Sequence, residues 1–345
     1  MKNKNFKIIR KGELAHKIIF VDGLAGCGKT MLSSIVSAMD RVELLNYAFE
    51  IEFICRLNFL SKLDNDAAIA MVRMMSDHKI YQNMMGRDVN FRYSDLSSAF
   101  QNHNPFRYFK RIFQEGDMVV PDRIMSERPI LNFTTHDLLQ VGKPVFLGLK
   151  DRLAFLHVVR HPLFMIIQQT LNMERLLNNS RDIQICFEHK GNEIPYFGYG
   201  WEDLFLKSNA VEKSIYSIKQ QLDLIKKFKK DNSTIIENSI LTIPFEKFVK
   251  NPNEFIKDIE RVTGTKFIKS TYKSMKKQKV PRKNVVDGIP LSIYKRCGWE
   301  PPEKSLSEKE EYLKRRQFAI NQGASLKAME VLDEISYEYE QEFNI

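Results

Sequence analysis

Short, nearly continuous apolar runs separated by longer stretches of mixed polarity dominate the hydropathy pattern of this chain. Runs of this length that are rich in β-branched and aromatic residues are typical of buried strands. The run from Leu153 to Val159 is apolar at both alternate sets of positions, which predicts a central strand of a parallel sheet. The strands predicted from such runs cover residues 17–22, 42–47, 118–120, 130–134, 153–159 and 240–245.

Helical periodicity fills the intervals between these runs. Apolar residues recur every third or fourth position in 211–228, and the segment 51–85 is mostly helical in pattern. Ser307 and Glu310 have the spacing of a capping box that opens one C-terminal helix, and the apolar positions of 332–343 predict a second helix. Strands that alternate with helices predict an α/β fold in which helices cover both faces of a parallel sheet.

The length of 345 residues suits one large α/β domain or two ordinary domains, and no internal repeat divides the chain. We expect residues 1–300 to form a single α/β domain and residues 301–345 to form a helical extension that packs on it. The aromatic, glycine-containing segment 187–201 is long for a passive connection, so we expect it to cover a site. The basic, proline-interrupted segment 276–295 is predicted to be a loop.

The charge balance narrows the classes of function. Lysine and arginine number 53 against 43 acidic residues, and the net charge of +10 favours phosphorylated or polyanionic partners. No nucleic-acid-binding motif is recognisable, so we expect no nucleic-acid partner. The four cysteines are widely scattered and contain no CxxC pair, which argues against a zinc site or a disulfide scaffold. Because no signal peptide or membrane-length apolar run is recognisable, we expect a cytoplasmic protein without a membrane span.

The strongest chemical signal is the motif GLAGCGKT at 23–30, which matches the pattern G-x-x-x-x-G-K-[ST]. Glycines allow successive backbone N–H groups to turn toward a phosphate, while a lysine and the start of a helix add positive charge. A predicted strand precedes the motif and a helix-compatible stretch follows it, as a P-loop-type three-layer fold requires. The residues expected to bind a phosphate are Gly23, Gly26, Cys27, Gly28, Lys29 and Thr30, with Cys27 as a small filler of the loop.

A second anion position is predicted at Arg160. The central strand 153–159 ends in this arginine, whereas a nucleotide hydrolase usually ends such a strand with an aspartate that holds Mg²⁺. An arginine at that place suits a second phosphate. The predicted strand 130–134 is followed by Thr135-His136, and Arg160 comes 24 positions after this histidine.

In these elements the chain resembles the sulfotransferase superfamily, whose members use 3′-phosphoadenosine 5′-phosphosulfate (PAPS). In the cytosolic branch of that family, a Lys-Thr-His strand end supplies the general base, and a Val-x-Arg-Asn-Pro strand end binds the 3′-phosphate. Thr135-His136 is similar to the first element, and Arg160-His161-Pro162 is similar to the second. The segment 241–252, LTIPFEKFVKNP, resembles a third element of the family, and the resemblance covers roughly residues 16–270.

The resemblance implies roles for further residues. His136 would be the general base and Arg160 would bind the 3′-phosphate, with Gln168 at the place of a serine of the family. A late basic loop closes over the nucleotide in the family, which implies a nucleotide-binding role for Arg282 and Lys283. Other branches place a catalytic glutamate just beyond the second strand. Glu50 and Glu52 lie there, so both compete with His136 for the role of base.

The sequence leaves more than one function open. The first interpretation is a PAPS-dependent sulfotransferase that acts on a hydroxyl of a small-molecule or saccharide acceptor and needs no metal. The loop departs from the usual Pro-Lys/Arg-x-Gly-Thr-Thr of the family, because its basic residue has moved from the position of Gly26 to Lys29. The second interpretation is therefore an ATP-dependent small-molecule kinase with Mg²⁺, for which Asp122 is a candidate metal ligand. The third is a nucleotide-gated binding module without transfer chemistry.

Overall fold

A parallel sheet organises the molecule, and the computed structural model describes residues 6–178, 180, 182–288 and 306–345 of the chain. The strands are β1 (Ile18–Asp22), β2 (Val42–Tyr47), β3 (Ile130–Thr134), β4 (Leu153–Val159), β5 (Cys186–His189), β6 (Asn192–Pro195) and β7 (Ile240–Pro244). Within the described residues, five parallel strands hydrogen-bond in the order β2-β3-β1-β4-β7, and β5 pairs with β6 as a separate antiparallel hairpin.

Helices cover both faces of this sheet, as the alternating pattern predicts. They are α1 (Lys29–Val36), α2 (Phe49–Phe59), α3 (Asn65–Met85), α4 (Pro105–Ile112), α5 (Val119–Glu127), α6 (Lys143–Leu149), α7 (Pro162–Arg175), α8 (Glu202–Lys207), α9 (Ala210–Asp231), α10 (Ser233–Ile236), α11 (Phe245–Lys250), α12 (Asn253–Thr263), α13 (Lys269–Lys277), α14 (Glu308–Asn321) and α15 (Leu326–Phe343). Single 3₁₀ turns lie at Ala99–Gln101, Leu139–Val141, Lys150–Arg152 and Tyr196–Gly198. Helices α1, α12 and α13 lie on one face, and α6, α7, α9 and α15 lie on the other.

The core forms around the central strand β1, all of whose residues are buried. The ring of Phe20 lies between Phe133 of β3, at 5.2 Å between ring centroids, and Phe155 of β4, at 6.0 Å. Phe146 of α6 continues this aromatic row toward Phe228 of α9. The apolar run along β4 is buried at both alternate sets of positions, which confirms the prediction of a central strand.

Most of the strands predicted from apolar runs are confirmed, and the run 118–120 is not. The structure has a helix at Val119–Glu127 instead of a strand. Pro121 explains the difference, because a residue without an N–H group suits the first turn of a helix, where that group has no intrahelical partner. Asp122 is therefore an exposed residue of the first helical turn and does not follow a strand.

Two segments expected to be irregular contain regular structure. The segment 187–201 includes most of the β5–β6 hairpin and the 3₁₀ turn at Tyr196–Gly198. The basic segment begins inside α13, which ends at Lys277, and the part from 289 to 295 lies outside the described residues.

The capping box of Ser307 and Glu310 is present at the start of α14. Helix α14 packs on α7, and α15 packs on α7 and α9. The expected domain boundary at residue 300 lies outside the described residues, so the division into a domain and an extension stays a prediction. No helix in the described ranges is both long enough and apolar enough to cross a membrane.

A buried histidine in β4 predicts a loss of stability in mild acid. Burial holds the pKa of His157 well below its ordinary value of 6.5, and Lys229 adds to the effect. Below pH 6.5 the unfolded chain therefore binds more protons than the folded chain, so the free energy of unfolding falls as the pH falls. We expect His157→Leu to make this pH dependence shallower, by up to about 1.4 kcal/mol per pH unit.

The measurement is urea denaturation at several values between pH 7.5 and pH 5.5. His78→Leu is the matched control, because it removes an exposed histidine, on α3, instead of a buried one. An equal slope for the native protein and for His157→Leu would show that His157 does not cause the acid sensitivity.

Candidate functional site

The loop between β1 and α1 has the backbone conformation expected of a phosphate loop. Gly26 and Gly28 have φ angles of 89° and 94°, in the left-handed region that favours glycine. A Cβ atom on Gly28 would lie 2.3 Å from the ring of Phe245, so the ring packs directly against the backbone of the loop. The residue before α1 must therefore be a glycine both for its φ angle and for its close contact with Phe245.

The ammonium group of Lys29 lies inside the loop. Its Nζ donates hydrogen bonds to the carbonyl oxygens of Gly23, at 3.1 Å, and Leu24, at 3.3 Å. Burial disfavours the charge on Lys29, but nearby acidic groups, among them Asp137 and Asp22, outweigh burial and raise its pKa. A positive charge is thus held inside the loop, where a phosphate would add negative charge.

The side chain of Cys27 fills space beneath the loop. It is fully buried, and a Cβ atom on Gly23 would lie only 2.6 Å from its Sγ. Burial raises the pKa of the Cys27 thiol to about 11, so the thiol is neutral at physiological pH. This environment suits the predicted role as a filler. Thr30 follows Lys29 in the first turn of α1 and is half-buried.

Arg160 extends from the end of β4 to the phosphate loop. Its Nη1 donates a hydrogen bond to the carbonyl oxygen of Gly26 at 2.9 Å. Its guanidinium lies 4.3 Å from the ring centroid of Phe245 and 5.0 Å from that of Phe164. Phe245 therefore contacts both the loop and the arginine predicted to bind a second phosphate.

Two further arginines extend this arrangement. Arg282 lies 5.4 Å from the ring centroid of Phe245, and Arg315 lies 4.5 Å from that of Phe164. The resulting row, in the order Arg315, Phe164, Arg160, Phe245 and Arg282, is called the arginine–phenylalanine row below. Burial and the nearby charge of Arg160 lower the pKa of Arg282 and of Arg315 to about 10. Cations that lose solvent and repel one another favour a nearby anion, and Arg315 already has one in Glu311, at 3.2 Å.

The remaining residues predicted to bind the nucleotide differ in how close they lie to the loop and in how exposed they are. Gln168 borders the loop, since a Cβ atom on Gly26 would lie 3.3 Å from its Oε1. Its neighbour Gln169 donates a hydrogen bond to the carbonyl oxygen of Ala25 at 3.0 Å, a contact that the sequence analysis missed. Lys283 is exposed, in contrast to the partly buried Arg282 before it.

On the other side of the loop, His136 is paired with a buried glutamate. Oε1 of Glu52 accepts a hydrogen bond from the backbone N–H of His136 at 2.9 Å and lies 3.1 Å from Nδ1 of the imidazole. Arg56 donates to Oε2 of Glu52 at 2.9 Å and to the carbonyl oxygen of His136 at 3.1 Å. A carboxylate only accepts, so Nδ1 is the donor of this hydrogen bond, and in a neutral imidazole Nε2 would then keep its lone pair.

The packing of the imidazole leaves it open to an acceptor. The ring lies nearly parallel to those of Phe49 and Tyr47, with 5.8 Å and 6.1 Å between ring centroids. About 35% of the His136 side chain is exposed, whereas Glu52 is 1% exposed. Glu50 is exposed on the first turn of α2. The three candidates for the base therefore differ in exposure: His136 is partly exposed, Glu50 is exposed, and Glu52 is buried against the imidazole.

Two aspartates near Lys29, of which Asp22 is buried and Asp137 is half-buried, were not identified from the sequence as site residues. Asp22 ends β1, and its carboxylate accepts hydrogen bonds from Thr135 at 2.8 Å and from backbone N–H groups after β3. Asp137 follows His136, and its Oδ1 has no hydrogen-bond partner. Burial raises the pKa of both carboxyls. Their position next to strand ends was the signal that sequence reasoning could have used.

A metal site is not evident in the same region. Among the residues that the structure describes, no group of three or more histidine, cysteine or acidic side chains is arranged to hold a metal ion. Asp122, the candidate metal ligand of the kinase interpretation, is exposed on α5 and does not follow a strand, which removes the reason for its selection.

No family model and no curated protein matches this chain. Among solved structures, it is similar to the sulfotransferase domain of the Synechococcus PCC 7002 olefin synthase, with 9% identity over 93% of this chain and 100% of that one, and a TM-score of 0.41. The sulfotransferase domain of the curacin biosynthetic pathway is 10% identical over 89% and 98% of the two chains, with a TM-score of 0.44. A sulfotransferase from Mycobacterium avium is 11% identical over 97% and 78%, with a TM-score of 0.43.

The contact between Gly28 and Phe245 predicts the effect of adding one methyl group to the loop. Gly28→Ala should lower the free energy of unfolding by about 1–2 kcal/mol for the left-handed φ and by about 1–3 kcal/mol more for the clash with Phe245. Gly191→Ala is the control, because Gly191 has a φ of 77° and no atom within 4 Å of the added Cβ. Urea denaturation measures both, and equal losses would show that the ring does not constrain the loop.

Proposed function

We propose that this chain is a sulfotransferase that moves a sulfuryl group from PAPS to a hydroxyl of a small-molecule or saccharide acceptor in the cytoplasm. One observation carries the proposal. The phosphate loop, Arg160 and His136 follow three adjacent parallel strands, β1, β4 and β3, and Glu52, which pairs with His136, follows the neighbouring strand β2, so they share one edge of the sheet. Ligands of open α/β sheets bind at that edge.

The cationic groups suit a donor with two separate anionic ends. The amides of the loop, Lys29 and Thr30 would hold the 5′-phosphosulfate, which supplies the sulfuryl group. Arg160 and Arg282 would hold the 3′-phosphate, since both lie against Phe245 beside the loop. The Nε of Arg160 has no hydrogen-bond partner, which leaves a donor for an anion.

The imidazole of His136 is the proposed base. Its Nε2 would accept the proton of the acceptor hydroxyl, while Glu52 holds Nδ1–H and stabilises the imidazolium that results. Arg56 forms a buried ion pair with Glu52 at 2.9 Å, which holds the carboxylate in place. We assign Glu52 a positioning role, because it is buried behind the ring and does not reach the exposed side of His136.

The acceptor would lie on the side of the aromatic residues of α2. Phe49 stacks on His136 and is exposed, and Phe59 at the other end of α2 contacts Tyr199 of the segment 187–201. Exposed rings next to the proposed base offer flat apolar surfaces to the face of a sugar ring or to another small acceptor. Tyr196 of the segment 187–201 lies 4.5 Å from the guanidinium of Arg56 and donates a hydrogen bond to the carbonyl oxygen of Asp137, which supports the expectation that this segment covers the site.

The kinase interpretation is the alternative, and the two aspartates favour it. The charges of Asp22 and Asp137 act on Lys29, and an unpartnered carboxylate oxygen on Asp137 is a ligand that Mg²⁺ accepts. A phosphate donor with Mg²⁺ would then use the same loop. The nucleotide-gated binding module differs from both enzymes, because it would bind a nucleotide without turning over any acceptor.

Ligand binding separates these functions. We expect adenosine 3′,5′-bisphosphate to bind without Mg²⁺ and to raise the melting temperature, because it binds only the native state. Lys29→Ala should weaken this binding about ten- to a hundredfold, as expected for a lost charge-assisted hydrogen bond. Isothermal titration calorimetry measures the affinity. Lys143→Ala is the matched control, since Lys143 also follows a glycine and opens a helix, but is exposed.

Tight binding of ATP only with Mg²⁺, without competition from the bisphosphate, would favour the kinase. Unchanged affinity of Lys29→Ala for every adenine nucleotide would reject the phosphate-loop assignment itself.

Removal of the imidazole tests the base. His136→Ala should reduce turnover by about 10²- to 10⁴-fold, the usual contribution of a general base, while the affinity for adenosine 3′,5′-bisphosphate stays close to that of the native protein. His78→Ala, on the exposed surface of α3, is the control. Glu50→Gln tests the competing candidate. Full activity of His136→Ala together with loss of activity in Glu50→Gln would show that Glu50 is the base.

A further inference from the structure

The C-terminal helices α14 and α15 contact the residues around Arg160 directly. Tyr339 of α15 donates a hydrogen bond through its hydroxyl to Oε2 of Glu246 at 2.7 Å, and both side chains are buried. Glu246 belongs to α11, the short helix that follows β7. The contact joins residues 93 positions apart in the chain, so it is a tertiary contact and not a local cap.

The other oxygen of Glu246 faces the end of β4. Oε1 accepts a hydrogen bond from the backbone N–H of His161 at 3.2 Å. The same oxygen lies 3.9 Å from Nε of Arg160, beyond hydrogen-bond distance. Glu246 therefore holds the backbone that carries Arg160 while its own charge stays close to the guanidinium.

Helix α14 supports the same residues from a second direction. Arg315 donates to the carbonyl oxygen of Phe164 at 3.4 Å and lies against its ring, which places the helix at one end of the arginine–phenylalanine row. Tyr312 stacks on the ring of His161 with 4.4 Å between centroids. Glu340 of α15 lies 3.2 Å from Nε2 of His161. Both C-terminal helices thus contact the residue next to Arg160.

We propose that α14 and α15 form part of the second anion subsite and that Tyr339 is a positioning residue for Arg160, acting through Glu246. The anion is a phosphate monoester, and the inference rests on the proposed function, in which Arg160 binds the 3′-phosphate. The hydroxyl of Tyr339 satisfies Oε2 of Glu246. In a variant without this hydroxyl, the buried Oε2 of Glu246 lacks a hydrogen-bond donor. The guanidinium of Arg160 then donates to Glu246 instead. Arg160 then turns toward Glu246 and away from the phosphate.

The test compares two ligands that differ by the 3′-phosphate alone. Tyr339→Phe should weaken adenosine 3′,5′-bisphosphate about three- to tenfold and adenosine 5′-monophosphate less than about twofold, by isothermal titration calorimetry. Tyr337→Phe is the matched control, because Tyr337 lies two residues away on the same helix and is 63% exposed. An equal loss for both ligands would show a merely structural role, and no loss for either would also overturn the inference.

Failure of the proposed function gives a different result. The native protein and Tyr339→Phe would then both bind the bisphosphate no more tightly than the monophosphate. A preference in the native protein that survives unchanged in Tyr339→Phe would contradict only the role of Tyr339.

The native protein supplies a second test that needs no variant. Binding coupled between two regions is reciprocal, so occupation of the subsite must stabilise the docked C-terminal helices. We expect the bisphosphate to slow amide hydrogen exchange in α14 and α15 more than the monophosphate does at equal saturation. Equal exchange rates with the two ligands would show that these helices are not part of the subsite.

Discussion

Hydrogen bonding of β1 to β3 on one side and to β4 on the other determines where the polar groups of the candidate site lie. Asp22, at the end of β1, pairs in register with His157 of β4 and accepts hydrogen bonds from the chain that leaves β3. Because these strands are parallel and in close register, the phosphate loop, His136 and Arg160 leave the sheet at the same edge. The packing of Phe245 against Gly28 adds β7 to this arrangement.

The parts of the molecule that depend on local patterns could be predicted from the sequence. Strands such as β2, β3 and β4 are short apolar runs bounded by polar residues, and their bounds in the structure equal the predicted ones. The phosphate loop is a contiguous motif whose glycines have conformations that follow from the loop itself. The exception at 118–120 shows the limit of apolar runs, since one proline there favours the start of a helix.

The parts that depend on contacts between distant residues could not be predicted. Glu52 and His136 are 84 positions apart, so nothing in the local sequence indicates which carboxylate lies behind the imidazole and which is exposed. The arginine–phenylalanine row joins residues from five places in the fold: the end of β4, α7, α11, the segment that follows α13, and α14. A sequence reveals that arginines and phenylalanines are present, but the order in which they stack depends on how these five parts pack together.

The position of Lys29 has a consequence for the rate at which the proposed phosphate would enter the loop. Nζ of Lys29 is held by two carbonyl oxygens of the loop itself. A phosphate bound as proposed would compete with these oxygens for the ammonium group, so its entry would be an exchange of partners. Such an exchange would add a barrier to association beyond diffusion, and electrostatic attraction alone would not set the rate.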